Sequence, residues 1–319
     1  MIRILASLIF TICLVINCNY GQNVLQSSLY MIDIYKDNPA YAGFDKSISA
    51  NFNYRTQWTG VLEHPTQINA NVHLPIYLLK GGAGLKLNNE TSGAFRSTSV
   101  KVSFNRVESF ANGILSIGLA IGMKQIALDG SKIRTPNGIY DGSIQHLDPI
   151  LPNGNISGIM PDWTLGFFGR NDFFDVGLTI ENLFFQAGNL DQINFQNTKK
   201  ISFYGAMPLL VNGLEIQPSL YIKSNTLQIQ SDISVLVKSG NIFGGLGLRG
   251  FNKNSFDALS FIGGIRLNEH YTLSYGYDYI LNELSNFSEG THEININYNF
   301  NKLIGIGLPP EIIYNPRHF

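Results

Sequence analysis

"SISANFNYRTQW", Ser47 to Trp58, decides how the chain is read. Ile48, Ala50, Phe52, Tyr54, Thr56 and Trp58 alternate with Ser47, Ser49, Asn51, Asn53, Arg55 and Gln57. A strand repeats every two residues, so each set shares one face. One face is apolar and ring-bearing, the other wet. The question is whether the apolar face meets a protein core or lipid.

The alternation recurs along the chain. In "QINANVHL", Ile68, Ala70, Val72 and Leu74 oppose Gln67, Asn69, Asn71 and His73. Leu115, Ile117, Leu119, Ile121 and Met123 oppose Ser116, Gly118, Ala120, Gly122 and Lys124, and Ile294, Ile296, Tyr298 and Phe300 oppose Glu293, Asn295, Asn297 and Asn299. Weaker candidates are Ala83–Asn88, Asp162–Arg170, Ile201–Met207, Ile242–Arg249 and Ala258–Leu267. Counting from Ser47 gives about fourteen strands, an even number as bacterial outer-membrane barrels have.

The wet face carries mostly Ser, Asn, Gln, Gly and Thr. Charged residues are 14% of the 319, against roughly 25% in soluble domains. Small polar side chains suit an enclosed lumen better than a water-facing sheet. Trp58, Trp163, Tyr271, Tyr279 and Tyr298 fall near strand ends, where a membrane girdle places aromatics. Connection lengths agree. Gln125–Met160, Leu183–Lys200 and Ile280–Gly290 are long and fall on one side, with only the connection near Asn225 short there. "NDF", "KSGN" and "NEH" are short and fall on the other. The expected fold is all-β, a transmembrane antiparallel barrel over 47–300. A soluble β-sandwich is the rival.

Residues 1–21 read as a signal peptide: Arg3, then the apolar run Ile4–Ile16, too short to span a bilayer, with cleavage near Gly21/Gln22. The alternative is lipidation at Cys18. Cys13 and Cys18 are the only cysteines, so cleavage leaves a mature chain with no disulfide or thiolate site. Residues 22–46 then form a periplasmic segment or a plug entering the lumen from below, and 301–319 a periplasmic tail. The cell outer membrane is the expected location, with its lipid as one partner. A net charge of −1 gives no reason to expect nucleic acid.

Catalytic patterns are absent. None of the six histidines forms a metal-binding i, i+4 pair, and there is no G-x-S-x-G elbow or P-loop. The expectation is a non-enzyme without catalytic residues, cofactor or metal. Thirteen inward charges of mixed sign, among them Arg55, Asp232, Arg249, Asp278 and Glu293, point to a paired lumen network or to a selective pore lining.

Two stretches go further. Tyr30 to Pro75 contains "NPAYAG", then R-x-Q-W closing the first strand, then an H-P-T turn; Leu273 to Phe300 contains "GYDY" and an H-E pair. With the ending "NPRHF", this combination resembles the PorP/SprF family, outer-membrane proteins of the type IX secretion system of Bacteroidetes. In this chain Asp278 comes one place earlier than in the family's usual G-Y-S-Y-D order. The resemblance implies a non-catalytic part of the secretion and gliding machinery that supports export or surface attachment of other proteins. Its implied partners are the periplasmic ring lipoprotein with associated components, or a large secreted adhesin. A diffusion porin or small-solute transporter is the alternative.

Two residue groups follow from these motifs. The first is Asn38, Pro39, Ala40, Tyr41, Ala42 and Gly43, either a partner-docking motif or a lid on the barrel floor. The second is Arg55, Gln57, Trp58, Tyr277, Asp278, His292 and Glu293 near the outer ends of the first and last strands. Arg55 and Glu293 are expected to clasp those two strands together.

Overall fold

The computed structural model describes residues 26–302, apart from 111, 185–186, 191–192, 197, 226–227 and 251–255. The leader with its cleavage point, Gln22–Leu25 and the "NPRHF" ending lie outside the described residues.

Strands run in chain order as β1 (Ser49–Thr56), β2 (Thr66–Ile76), β3 (Gly81–Ser92), β4 (Phe95–Phe110), β5 (Gly113–Asp129) and β6 (Asn155–Asn171). Then come β7 (Asp175–Glu181), the small hairpin β8 (Ala187–Leu190) and β9 (Ile193–Gln196), β10 (Lys200–Ala206), β11 (Leu209–Val211) and β12 (Leu214–Asn225). The last five are β13 (Ile229–Ser239), β14 (Ile242–Arg249), β15 (Ala258–Arg266), β16 (Tyr271–Ile280) and β17 (Thr291–Asn299). The short β11 pairs only with β12 among the described residues, and β8 only with β9. The other fourteen close into one antiparallel barrel. Two pairings complete the ring: β10 on β12, with Ser202 opposite Lys223, and β1 on β17, with Arg55 opposite Glu293.

The sidedness reverses that of a soluble protein. Phe52, Tyr54, Ile68, Val100, Val102, Phe104, Ile117 and Ile121 are exposed on the outer surface. Ser49, Asn51, Asn53, Asn69, Ser103, Asn105 and Asn295 are buried inside. An outward apolar band with a polar interior is the lipid-spanning arrangement, and closure leaves no strand edge in hydrocarbon. Among the described residues no helix is long and apolar enough to cross a membrane.

Several strand limits differ from the sequence reading. β1 is Ser49–Thr56, leaving Ser47 and Ile48 before it and Gln57 and Trp58 beyond it. β3 extends well past Ala83–Asn88 because it pairs with β2 and β4 along its full length. β5 and β6 extend into the expected Gln125–Met160 loop, which shortens to 130–154, since Lys124 to Asp129 pair with Met160 to Asn155. The connection near Asn225 is not the one short link on its side, because β3 and β4 join through Gly93 and Ala94. The long links still gather at one end, here the loop rim. The end where β1 starts and β17 stops is the terminal rim.

Residues 26–46 lie inside the ring and form a strap without strands. Leu29, Tyr30, Met31, Tyr35, Ala40, Tyr41 and Ala42 pack with the wall residues Phe168, Tyr204, Tyr221, Leu236 and Ile262 as the main apolar cluster. The strap starts beside residues in the loop-rim half of the strands and ends against Pro75 and Gly82 at the terminal rim. It therefore traverses most of the lumen, as a plug would.

Candidate functional site, the strap in the lumen

The strap meets the wall in three tiers. Nearest the terminal rim is "NPAYAG". Asn38 precedes proline and is extended, φ −123° and ψ 109°, as that position requires. Its Oδ1 accepts from Ala40 N at 2.9 Å, capping the 3-10 turn Pro39–Tyr41, while its Nδ2 donates to Phe167 O at 2.8 Å. Ala40 sits so close to β5 that a Cβ on Gly118 would lie 2.6 Å from its Cα. Asn105 Nδ2 donates to Ala40 O at 2.6 Å and to Ala42 O at 3.0 Å. Gly43 has φ +78°, and a Cβ there would meet Pro75 Cα at 2.8 Å, so only glycine fits.

Tyr41 is buried. Its ring is edge-on to Phe168 at 5.1 Å and stacked on Phe44 at 5.3 Å. Arg170, held by Asp175 at 2.8 Å, lies over it at 5.7 Å. In this arrangement the Tyr41 ring packs the interior, at the edge of a cavity at the terminal rim.

The middle tier is aromatic and polar together. Tyr30 stacks on Tyr221 at 5.1 Å, and Tyr35 Oη lies 2.6 Å from Ser103 Oγ. Asp33 accepts from Asn71 Nδ2 at 2.6 Å. Burial raises the Asp33 carboxyl above its ordinary value, opposed by Lys36, Asn71 and His73.

The third tier is ionic. Glu293 accepts from Ser27 Oγ and Ser28 N, both at 2.6 Å, from Asn53 Nδ2 at 2.9 Å and from Arg55 Nη1 at 3.0 Å, with Lys36 Nζ at 3.4 Å. Asp278 accepts from Ser28 Oγ and Ser260 Oγ, both at 2.6 Å, from Arg55 Nη2 at 2.8 Å and from Arg249 Nη1 at 2.6 Å. Arg249 also reaches Asp232 at 3.1 Å. Buried ions are tolerable when each is paired and its remaining hydrogen-bond capacity is filled.

The structure thus divides the second residue group. Arg55, Asp278 and Glu293 converge; Gln57 is buried just past the end of β1. The other three do not join them. His292 Nδ1 lies 2.6 Å from Tyr275 Oη, and Tyr277 Oη donates to Glu289 O at 2.9 Å, on the outer side of the wall. Trp58 has left the strand, with φ +59° and its N–H donating to Thr291 Oγ1 at 3.2 Å. Sequence reasoning missed Ser27, Ser28 and Lys36. Two adjacent serines outside any periodic segment give no signal, whereas Arg249 and Asp232 were visible as inward charges.

Below the strap, a cavity of about 360 Å³ opens at the terminal rim. Phe44, Arg170, Glu215, Lys238, Arg266 and Asn297 line it. Lys238 and Glu215 pair there at 3.4 Å.

The family model described as type IX secretion system membrane protein PorP/SprF matches residues 19–298. No curated protein matches the sequence. Among solved structures, the outer membrane protein Omp33 of Acinetobacter baumannii is similar at 5% identity and a TM-score of 0.46, covering 80% of this chain and 98% of that one. A KdgM porin is similar at 9% identity and a TM-score of 0.37, covering 79% and 99%.

Proposed function

Because the chain belongs to the PorP/SprF family of type IX secretion system membrane proteins, we propose that it is a non-enzymatic outer-membrane component of the export and gliding machinery. In this reading it supports export or surface attachment of partner proteins such as adhesins. The leader directs the chain across the inner membrane and is removed near Gly21/Gln22. The terminal rim with its cavity then faces the periplasm, where the ring lipoprotein and its associates are, and the long loops face outward.

One observation carries this over the porin alternative: the chain's own residues 26–46 occupy the lumen. A porin needs a continuous aqueous path. Deleting the gene tests the reading. The expected result is loss of particular proteins from the cell surface with small-solute uptake unchanged. Reduced uptake with an intact surface complement would favour the porin.

A further inference from the structure

The strap is held as a bound segment rather than as part of the sheet. Its backbone hydrogen bonds among the described residues are local turns, such as Ile32 N to Leu29 O and Asn38 N to Ile34 O. Other bonds to the wall use side chains: Glu293 receives Ser28 N, His73 receives Gly43 N at 3.1 Å, and Lys86 Nζ donates to Lys36 O at 2.7 Å. The wall supplies a groove for it, with Gly82, Gly84, Gly118 and Gly166 where a Cβ would run into the strap. Charge is complementary as well. Asp232, Asp278 and Glu293 face Arg55 and Arg249 on the wall, and Lys36 of the strap, beside the strap's own buried Asp33, adds a cation at Glu293. The fourteen-strand ladder closes on itself without any strap residue.

The geometry points to a self-supplied blocker: Ser27, Ser28 and Lys36 latch the strap to Glu293 and Asp278, and releasing this latch opens the lumen to small hydrophilic solutes. Met31 to Ile34 of the strap line the cavity that opens at the terminal rim, with the ionic tier in the loop-rim half beyond them. Such a latch works in the same way whichever partner the barrel serves.

The test uses the full-length protein in planar bilayers and in liposomes loaded with potassium chloride. Ser28→Asp sets a carboxylate against Glu293 and Asp278; Lys36→Glu sets one against Glu293 and removes its strap cation. Neither substitution alters a wall residue. Wild type is expected to stay closed, and each variant to show stepwise conductance and at least about tenfold faster ion efflux, with heat-modifiable migration retained. The lock adds one pair of cysteines. A Cβ on Gly276 would lie 3.4 Å from Ser28 Cβ, near disulfide spacing, and the sequence's only cysteines are Cys13 and Cys18. Lys36→Glu with Ser28→Cys and Gly276→Cys should be closed when oxidised and open when reduced. Folded Ser28→Asp and Lys36→Glu barrels that stay closed would overturn the proposal. So would failure of both to fold, because a releasable strap is not needed to build the wall.

Discussion

Arg55 and Glu293 face each other across the seam where the first strand meets the last, their side chains 3.0 Å apart and both buried. The same guanidinium reaches Asp278 at 2.8 Å. One cation therefore joins three strands, β1, β16 and β17, at the point where the ring closes.

Removing that cation should be expensive. Arg55→Ala leaves two buried carboxylates each short of one partner, at a cost of about 3–5 kcal/mol. A lower temperature for the gel-mobility shift from folded to unfolded barrel would report it. Exchanging the charges, Arg55→Glu with Glu293→Arg, should not restore stability. The new carboxylate on β1 would then face Asp278, and the new guanidinium on β17 would face Lys36. Full recovery in the exchanged variant would show that the pair acts alone.

Tyr41 should behave as a packing residue. Tyr41→Ala removes a ring enclosed by Phe44, Phe168 and Arg170 and should cost about 3–5 kcal/mol. Tyr41→Phe keeps the ring and loses a bond to Asp45 of 3.2 Å, which should cost about 1 kcal/mol. Urea unfolding of the two variants side by side checks this. Equal, small losses would contradict the buried geometry.

Glycines can be sorted by what lies over them. Gly118→Ala drives a methyl into Ala40, whereas Gly263→Ala enters open space. The first should lose about 1–3 kcal/mol by overpacking and the second should fall within about 0.5 kcal/mol of wild type. Thermal denaturation in detergent distinguishes them.

The outer band should reject charge. Val102 is 61% exposed on the outside and Ser103 next to it is 7% exposed on the inside. Val102→Lys should cost about 2–4 kcal/mol where the bilayer is deepest, seen as a reduced folded fraction in lipid vesicles. A Val102→Lys barrel that folds as well as wild type would contradict the lipid-facing assignment.

Much of this was legible in the sequence, for physical reasons. The period-two pattern of Ser47–Trp58 assigns inside and outside, because a one-residue slip would turn every side chain over. The inward position of Arg55, Asp278 and Glu293 follows from it directly. Strand limits were harder. The alternation starts β3 only at Ala83 and β6 only at Asp162, yet pairing with neighbouring strands extends both towards the N-terminus. The course of the strap was not legible. Residues 26–46 have no periodicity, and their path depends on groove glycines such as Gly84, Gly118 and Gly166, which are far apart in the chain. The outward position of Tyr277 follows from its alternation with Asp278, and that of His292 could have been read in the same way from Glu293.

The most direct test of the account is purification from the native organism in mild detergent, with mass spectrometry of whatever accompanies the barrel. The account predicts periplasmic ring components or a large surface protein in stoichiometric yield, and their identity would say which branch of the machinery this copy serves. A barrel that emerges alone, and that conducts ions when reconstituted, would contradict it.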